Sequence, residues 1–148
     1  MQKNIATEPK RQSNDLLLTI AYAHSHINSK IHNILKPYNI SSEQLNVLRA
    51  LSEYPEKVMN MGEIQKVMFA KTSNTTRLVD KLVLKGFVDR NPCRYNKRII
   101  EVEISDKGLH FLNNIDKIIT KVKNELTATL TEHDKETLAQ ILEKIQKA

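Results

Sequence analysis

The residues best suited to chemistry lie in one stretch near the middle of the chain. From Lys71 to Arg98 there are eight basic residues (Lys71, Arg77, Lys81, Lys85, Arg90, Arg94, Lys97 and Arg98) against two acids, Asp80 and Asp89. The other residues carry 15 basic and 15 acidic groups, so this segment holds the whole formal charge of +6. A charge excess gathered in one place suits a polyanion such as nucleic acid, and a merely solvated basic face is the weaker alternative. Inside the segment, Ser73, Asn74, Thr75 and Thr76 precede Arg77 and Lys81. Asn can pair bidentately with adenine, Ser and Thr can donate or accept at base edges, and Arg and Lys one helical turn apart suit phosphates.

Other chemistries find little support. No carboxylates pair at a spacing suited to acid–base catalysis, and there is no Gly-rich phosphate loop, nucleophile elbow or His-Glu-x-x-His run. The chain is therefore expected not to be an enzyme and to need no cofactor. One cysteine, Cys93, cannot form an internal disulfide or a cysteine-based zinc cluster, and an inert packing role is favoured over redox sensing. His24, Asn28 and His32 recur every four residues. With no cysteine to join them, a satisfied interface histidine is the preferred reading over a metal site. No apolar run approaches the roughly 20 residues of a membrane span. The first residues contain no secretory apolar segment, so a cytoplasmic location with no membrane partner is expected.

The elements that must position the basic segment follow from periodicity. At 148 residues, 40% apolar and with only three Gly and four Pro, the chain reads as one mainly helical domain. Residues 1–12 read as a polar arm. A helix is expected over 13–36, with Ile20, Ile27, Ile31 and Ile34 on one face and Pro37 stopping it. Ser41 and Gln44 form a capping box for a helix that buries Leu45, Leu48 and Leu51. Asn60, with Glu63, opens a short helix burying Ile64, Val67 and Met68; Met59, Met61 and Met68 read as core filler.

Thr72 or Ser73 is expected to cap the next helix, whose Leu78, Val79, Leu82 and Val83 face the core and whose end is Gly86. The period then changes. Residues 87–90 and 98–104 read as two strands of a β-hairpin, with Ile100, Val102 and Ile104 on one face and a basic tip between them. After Ser105 a long helix carries an apolar stripe from Leu109 to Leu130. Thr131 starts a last helix presenting Leu138, Ile141, Leu142 and Ile145.

Three helices followed by a hairpin is the winged helix-turn-helix order. The run from Ser73 to Leu82 and then Lys85-Gly86-Phe87-Val88-Asp89-Arg90 resembles the recognition helix and first wing strand of the MarR family of transcription regulators. Ile104-Ser105-Asp106-Lys107-Gly108 resembles that family's passage from the last wing strand into its long helix. The resemblance implies a mainly α fold with a small β-hairpin: a winged helix-turn-helix over 40–105 and a helical dimerisation region over 13–36 and 106–148. It implies a homodimer that represses transcription at a pseudo-palindromic double-stranded DNA operator and is released by a small-molecule effector. DNA contacts are then expected from Thr72, Ser73, Asn74, Thr75, Thr76, Arg77, Lys81, Arg94, Asn96, Lys97 and Arg98.

One departure stands at the wing, where the family's Asp, one residue, then Arg is here Asn96-Lys97-Arg98. The partner that orients Arg98 is thus an amide, and looser wing docking is expected. Effectors in this family often bind beside the first helix, which makes Tyr22, His24 and His26 the candidate ligand residues. The rival readings are a winged-helix protein-interaction module without specific DNA binding, and a metal or ligand buffer built on the helical bundle.

Overall fold

A computed structural model describes residues 15–68 and 74–148. Its elements are α1 (Leu16–Leu35), α2 (Ser42–Glu53), β1 (Val58–Asn60), α3 (Met61–Val67), α4 (Thr75–Leu84), β2 (Val88–Pro92), β3 (Ile100–Ile104), α5 (Asp106–Leu126) and α6 (Glu132–Gln146). The fold is mostly helical with one small antiparallel sheet of order β1-β3-β2.

Local sequence explains most element ends. The Asp15 carboxylate accepts from the Leu17 and Leu18 amides at 3.0 and 3.2 Å and so starts α1. Pro37 turns the chain into one turn of 3₁₀ helix, Lys36–Tyr38, ended by Asn39 at φ 52°. Reciprocal capping boxes open α2 (Ser41 with Gln44), α3 (Asn60 with Glu63) and α6 (Thr131 with Asp134). Each satisfies amides that the first helical turn leaves without partners. The N-cap of α4 is Asn74, whose side chain makes no capping hydrogen bond. Thr72 and Ser73, the expected caps, lie outside the described residues.

The sheet has three strands rather than the two of a hairpin. β1 pairs with β3, setting Met59 opposite Val102, while β2 pairs on the other edge, setting Val88 opposite Ile104 and Arg90 opposite Val102. β1 spans three residues, too few for a period-2 pattern to register in the sequence. The hairpin strands are also displaced from expectation. β2 runs to Pro92, and β3 starts at Ile100 because residues 93–99 are taken up by the turn.

Gly86 and Gly108 lock the winged part to α5. Gly86 sits at φ 71°, the left-handed end of α4, where the Phe87 amide reaches back to the Leu82 carbonyl at 3.0 Å. A Cβ on Gly108 would lie 2.1 Å from the Phe87 carbonyl oxygen, so the close approach of α5 to this turn requires glycine. Ser105 reinforces the joint: its hydroxyl donates to the Gly86 carbonyl at 2.6 Å and accepts from the Gly108 amide at 3.0 Å. Phe87 stacks on Phe111 with centroids 4.7 Å apart, and Tyr38 meets Phe111 edge-on at 5.3 Å.

The core joins Leu35, Leu45, Leu48 and Leu51 to Met59, Ile64, Val79, Leu82, Val88, Val102 and the inner face of α5 from Phe111 to Ile119. Two residues expected there are elsewhere. Val67, in the last turn of α3, is 52% exposed, and Val83 of α4 is likewise exposed. The C-terminal half of the α1 stripe, Ile31 and Ile34, packs against the core, while Ile27 of α1 and Leu138, Ile141 and Ile145 of α6 are exposed. Among the described residues no helix is long and apolar enough to cross a membrane.

Candidate nucleic-acid interface

α4 carries the first half of the site. Val79 and Leu82 are fully buried and fix the helix's roll against the core. That roll leaves Asn74, Thr76, Arg77, Asp80 and Lys81 on the exposed face. Thr75 does not join them. It is 5% exposed, turned into the domain because it shares the inner face with Val79, one turn on. Its expected part in base reading is corrected accordingly. Thr72 and Ser73, the other two hydroxyl residues of the expected set, lie outside the described residues.

The wing carries the second half. The turn between β2 and β3 is closed by the Cys93 amide on the Ile99 carbonyl at 2.8 Å and the Ile99 amide on the Asn96 carbonyl at 2.9 Å. Asn96 uses its side-chain oxygen to accept from the Arg98 amide at 3.1 Å. This holds the backbone of Arg98 and leaves its guanidinium to solvent. Arg94, Asn96, Lys97 and Arg98 are all exposed, and Tyr95 between them is 94% exposed. Sequence reading passed over Tyr95; the available signal was an aromatic residue inside a turn otherwise made of polar and basic side chains.

Charge on this surface is unevenly neutralised. Among the described residues Arg77, Lys81, Arg94, Lys97 and Arg98 hold no ion pair, whereas Arg90 of β2 is bonded to Asp80 of α4. The ion pair sets the exposed face of α4 beside the wing strand, so the two halves form one basic surface. Two further lysines act within the fold rather than on a ligand. Lys85 donates to the Tyr38 carbonyl at 3.2 Å, and Lys107 donates to the Lys85 carbonyl at 2.9 Å while lying 5.5 Å from the Phe87 ring centre.

The remaining candidates lie apart. Tyr22, His24 and His26 are exposed on α1, and His24 meets Asn28 at 2.8 Å. None of the three lines the groove formed by Asn46, Arg49, Ala50, Glu53, Tyr54, Met59 and Val67, or the one beneath the wing. Cys93 is half-buried at the base of the wing, next to that second groove. Beside it Tyr54 donates to Glu63 at 3.0 Å, and this hydrogen bond to a carboxylate raises the phenol's pKa above its usual value. Among the described residues no three His, Cys, Asp or Glu side chains gather as a metal site.

Three packed helices, α2 to α4, the last with a basic exposed face, and a three-stranded sheet ending in a basic turn define a winged helix-turn-helix protein. Residues 40–100 match the MarR family. The chain is 29% identical over 116 residues to the HTH-type transcriptional regulator TcaR of Staphylococcus aureus, covering 78% of this chain and 76% of that one. Its fold matches the transcriptional regulator BldR of Sulfolobus solfataricus with a TM-score of 0.72 and 28% identity, over 90% of this chain and 94% of that one. It also matches a mutant MarR of Escherichia coli complexed with operator DNA, with a TM-score of 0.71 and 26% identity over 88% of this chain and 98% of that one. The chain thus carries a MarR-family match over residues 40–100 and is similar along most of its length to MarR-family winged-helix transcriptional regulators.

Proposed function

We propose that this chain is a cytoplasmic, homodimeric repressor that binds a pseudo-palindromic operator in double-stranded DNA and releases it when a small molecule binds. The observation that carries the reading is the set of exposed cations that pair with no acid among the described residues, Arg77 and Lys81 on α4 and Arg94, Lys97 and Arg98 on the wing. In this reading α4 enters the major groove, where Asn74 and Thr76 meet base edges and Arg77 and Lys81 grip phosphates. The wing reaches the adjacent backbone or minor groove through Arg94, Lys97 and Arg98, held in register by Asn96. The E. coli relative of matching fold is complexed with operator DNA, which supports operator binding by this chain.

Dimerisation is supported by the exposed apolar residues of the N-terminal part of α1 (Leu16, Leu17, Leu18 and Ile27) and of α6 (Leu138, Ile141 and Ile145). Two copies joined there would present two α4 helices to half-sites about 34 Å apart, one turn of the duplex. In such a dimer His24, on the same face of α1 as Ile20, Ile27 and Ile31, would lie at or near the covered face, whereas Tyr22 and His26 project from the opposite side of the helix; an effector at His24 would act by altering how the two winged halves are spaced.

Selection from random duplex DNA tests the reading, followed by titration of the winning site and a scrambled control at two salt concentrations. The expected result is an enriched palindrome with half-sites one helical turn apart, bound far more tightly than the control. Equal, weak and salt-abolished binding of both duplexes would refute sequence-specific regulation and favour a protein-docking role for the basic surface.

A further inference from the structure

The basic surface contains one cation that is deliberately silenced. Arg90 Nη1 is bonded to Asp80 Oδ1, an ion pair reaching from β2 to α4. Among the described residues it is the one ion pair that spans helix and wing. Asp80 is the sole acid exposed on α4, set between Arg77 three residues before it and Lys81 immediately after. Arg90 takes the sheet face of Val88, opposite Val102, which is the face turned to α4. The nearer acid in sequence, Asp89, falls on the other face opposite Glu103 and cannot serve.

The arrangement has two physical consequences. An arginine bonded to a carboxylate is poorly placed to displace a counterion from DNA, so Arg90 adds nothing to sequence-independent affinity. The same bond ties the helix that would read bases to the strand that carries the wing, so both reach the duplex in a fixed relation. Each effect raises the preference for the right site over any other, since phosphate attraction is shared by all sequences while a fixed geometry is not.

The geometry points to Asp80 and Arg90 as a specificity-determining pair, in which Asp80 withholds one cation from the phosphates and Arg90 positions the wing. The inference rests on the DNA-binding reading above. It adds that two residues unavailable for direct contact set how selective that binding is.

The experiment is titration of the selected operator and a scrambled duplex across a salt series, using the parent, Asp80→Asn, Arg90→Gln and the double variant. Thermal melting of each confirms folding; the pair is half-exposed, with side chains 50% and 32% accessible, so the variants should remain folded. Asp80→Asn frees Arg90. Binding to the scrambled duplex should tighten, with the salt slope steeper by about one unit, and the operator-to-scrambled ratio should fall about tenfold. Arg90→Gln should leave the scrambled-duplex slope at the parent value while weakening operator binding. The double variant should return the slope to that of the parent.

A slope made shallower by about one unit in Arg90→Gln would show that Arg90 already grips a phosphate and would overturn the assignment. So would an unchanged ratio in Asp80→Asn. Either result with a selective parent refutes this pair alone. A parent that binds both duplexes equally refutes the DNA-binding reading, and this inference with it.

Discussion

The winged half and the helical ends are built from similar amphipathic helices, yet one is closed and the other open. Every buried apolar side chain among the described residues falls between Leu35 and Ile119. α1 contributes only Leu35 and α6 none, although both carry regular apolar stripes. The winged half has a sheet and four helices to bury against within one chain. The C-terminal part of α1 packs on α5 and α2, while the N-terminal part of α1 and the stripe of α6 keep large apolar side chains exposed. A stripe without a cover marks a surface awaiting a second body, and the proposed homodimer supplies one. Folding of the winged half should thus be independent of concentration, and completion of the ends should not.

The largest blow to the closed half is Leu48→Ala. Leu48 is wholly buried where α2 crosses the core, and removal of its side chain should cost about 2–5 kcal/mol in urea unfolding. A loss below about 1 kcal/mol would mean that α2 is not packed as described. The matching blow to the open half is Ile141→Glu on α6. It should raise the dimer dissociation constant about a hundredfold, roughly 2.7 kcal/mol, in analytical ultracentrifugation. An unchanged dimer mass at low concentration would remove α6 from the interface.

The joint between the halves is tested by Gly108→Ala. The added methyl must displace the Phe87 carbonyl, and about 1–3 kcal/mol of destabilisation is expected in the same urea assay. Tolerance of alanine there would show that α5 and the wing turn are not held as closely as they stand. On the functional surface, Lys81→Ala should weaken every duplex alike and make the salt slope shallower by about one unit. A loss confined to one base position would assign Lys81 to base reading instead.

The smallest effect concerns the start of α6. Thr131 donates to Asp134 through its hydroxyl at 2.7 Å and its amide at 2.8 Å, and these bonds hold the Asp134 carboxyl below its usual pKa. A carboxyl depressed in the folded state adds stability at pH values above its unfolded pKa. That stability is lost as pH falls through the folded value. Helicity followed by circular dichroism should therefore decline below about pH 4, and Thr131→Ala should already show that loss at neutral pH. Identical acid profiles for parent and variant would show that the box contributes nothing to α6.

The winged-helix order was readable from local signals because those signals are local in cause. Ser41–Gln44, Asn60–Glu63 and Thr131–Asp134 close their boxes within four residues, and the alternation at Ile100, Val102 and Ile104 repeats within five. The site was less legible. Composition located the basic segment but could not tell Thr75, turned inward, from Thr76, turned outward, because a helix's roll is set by what Val79 and Leu82 find to pack against. Nor could it show that Arg90, one of the eight basic residues of the segment, is paired with an acid. No sequence period links residues 80 and 90, which meet only when β2 folds beside α4.

The sequence by itself determined the helical class, the caps, the left-handed stop at Gly86 and the concentration of charge between Lys71 and Arg98, since each depends on residue type and near neighbours alone. Tertiary structure alone decided the third strand, the need for glycine at position 108, the burial of Thr75 and the pairing of Asp80 with Arg90. Those features arise where segments distant along the chain are pressed together. What a side chain meets there is set by the packing of whole elements rather than by its own sequence context.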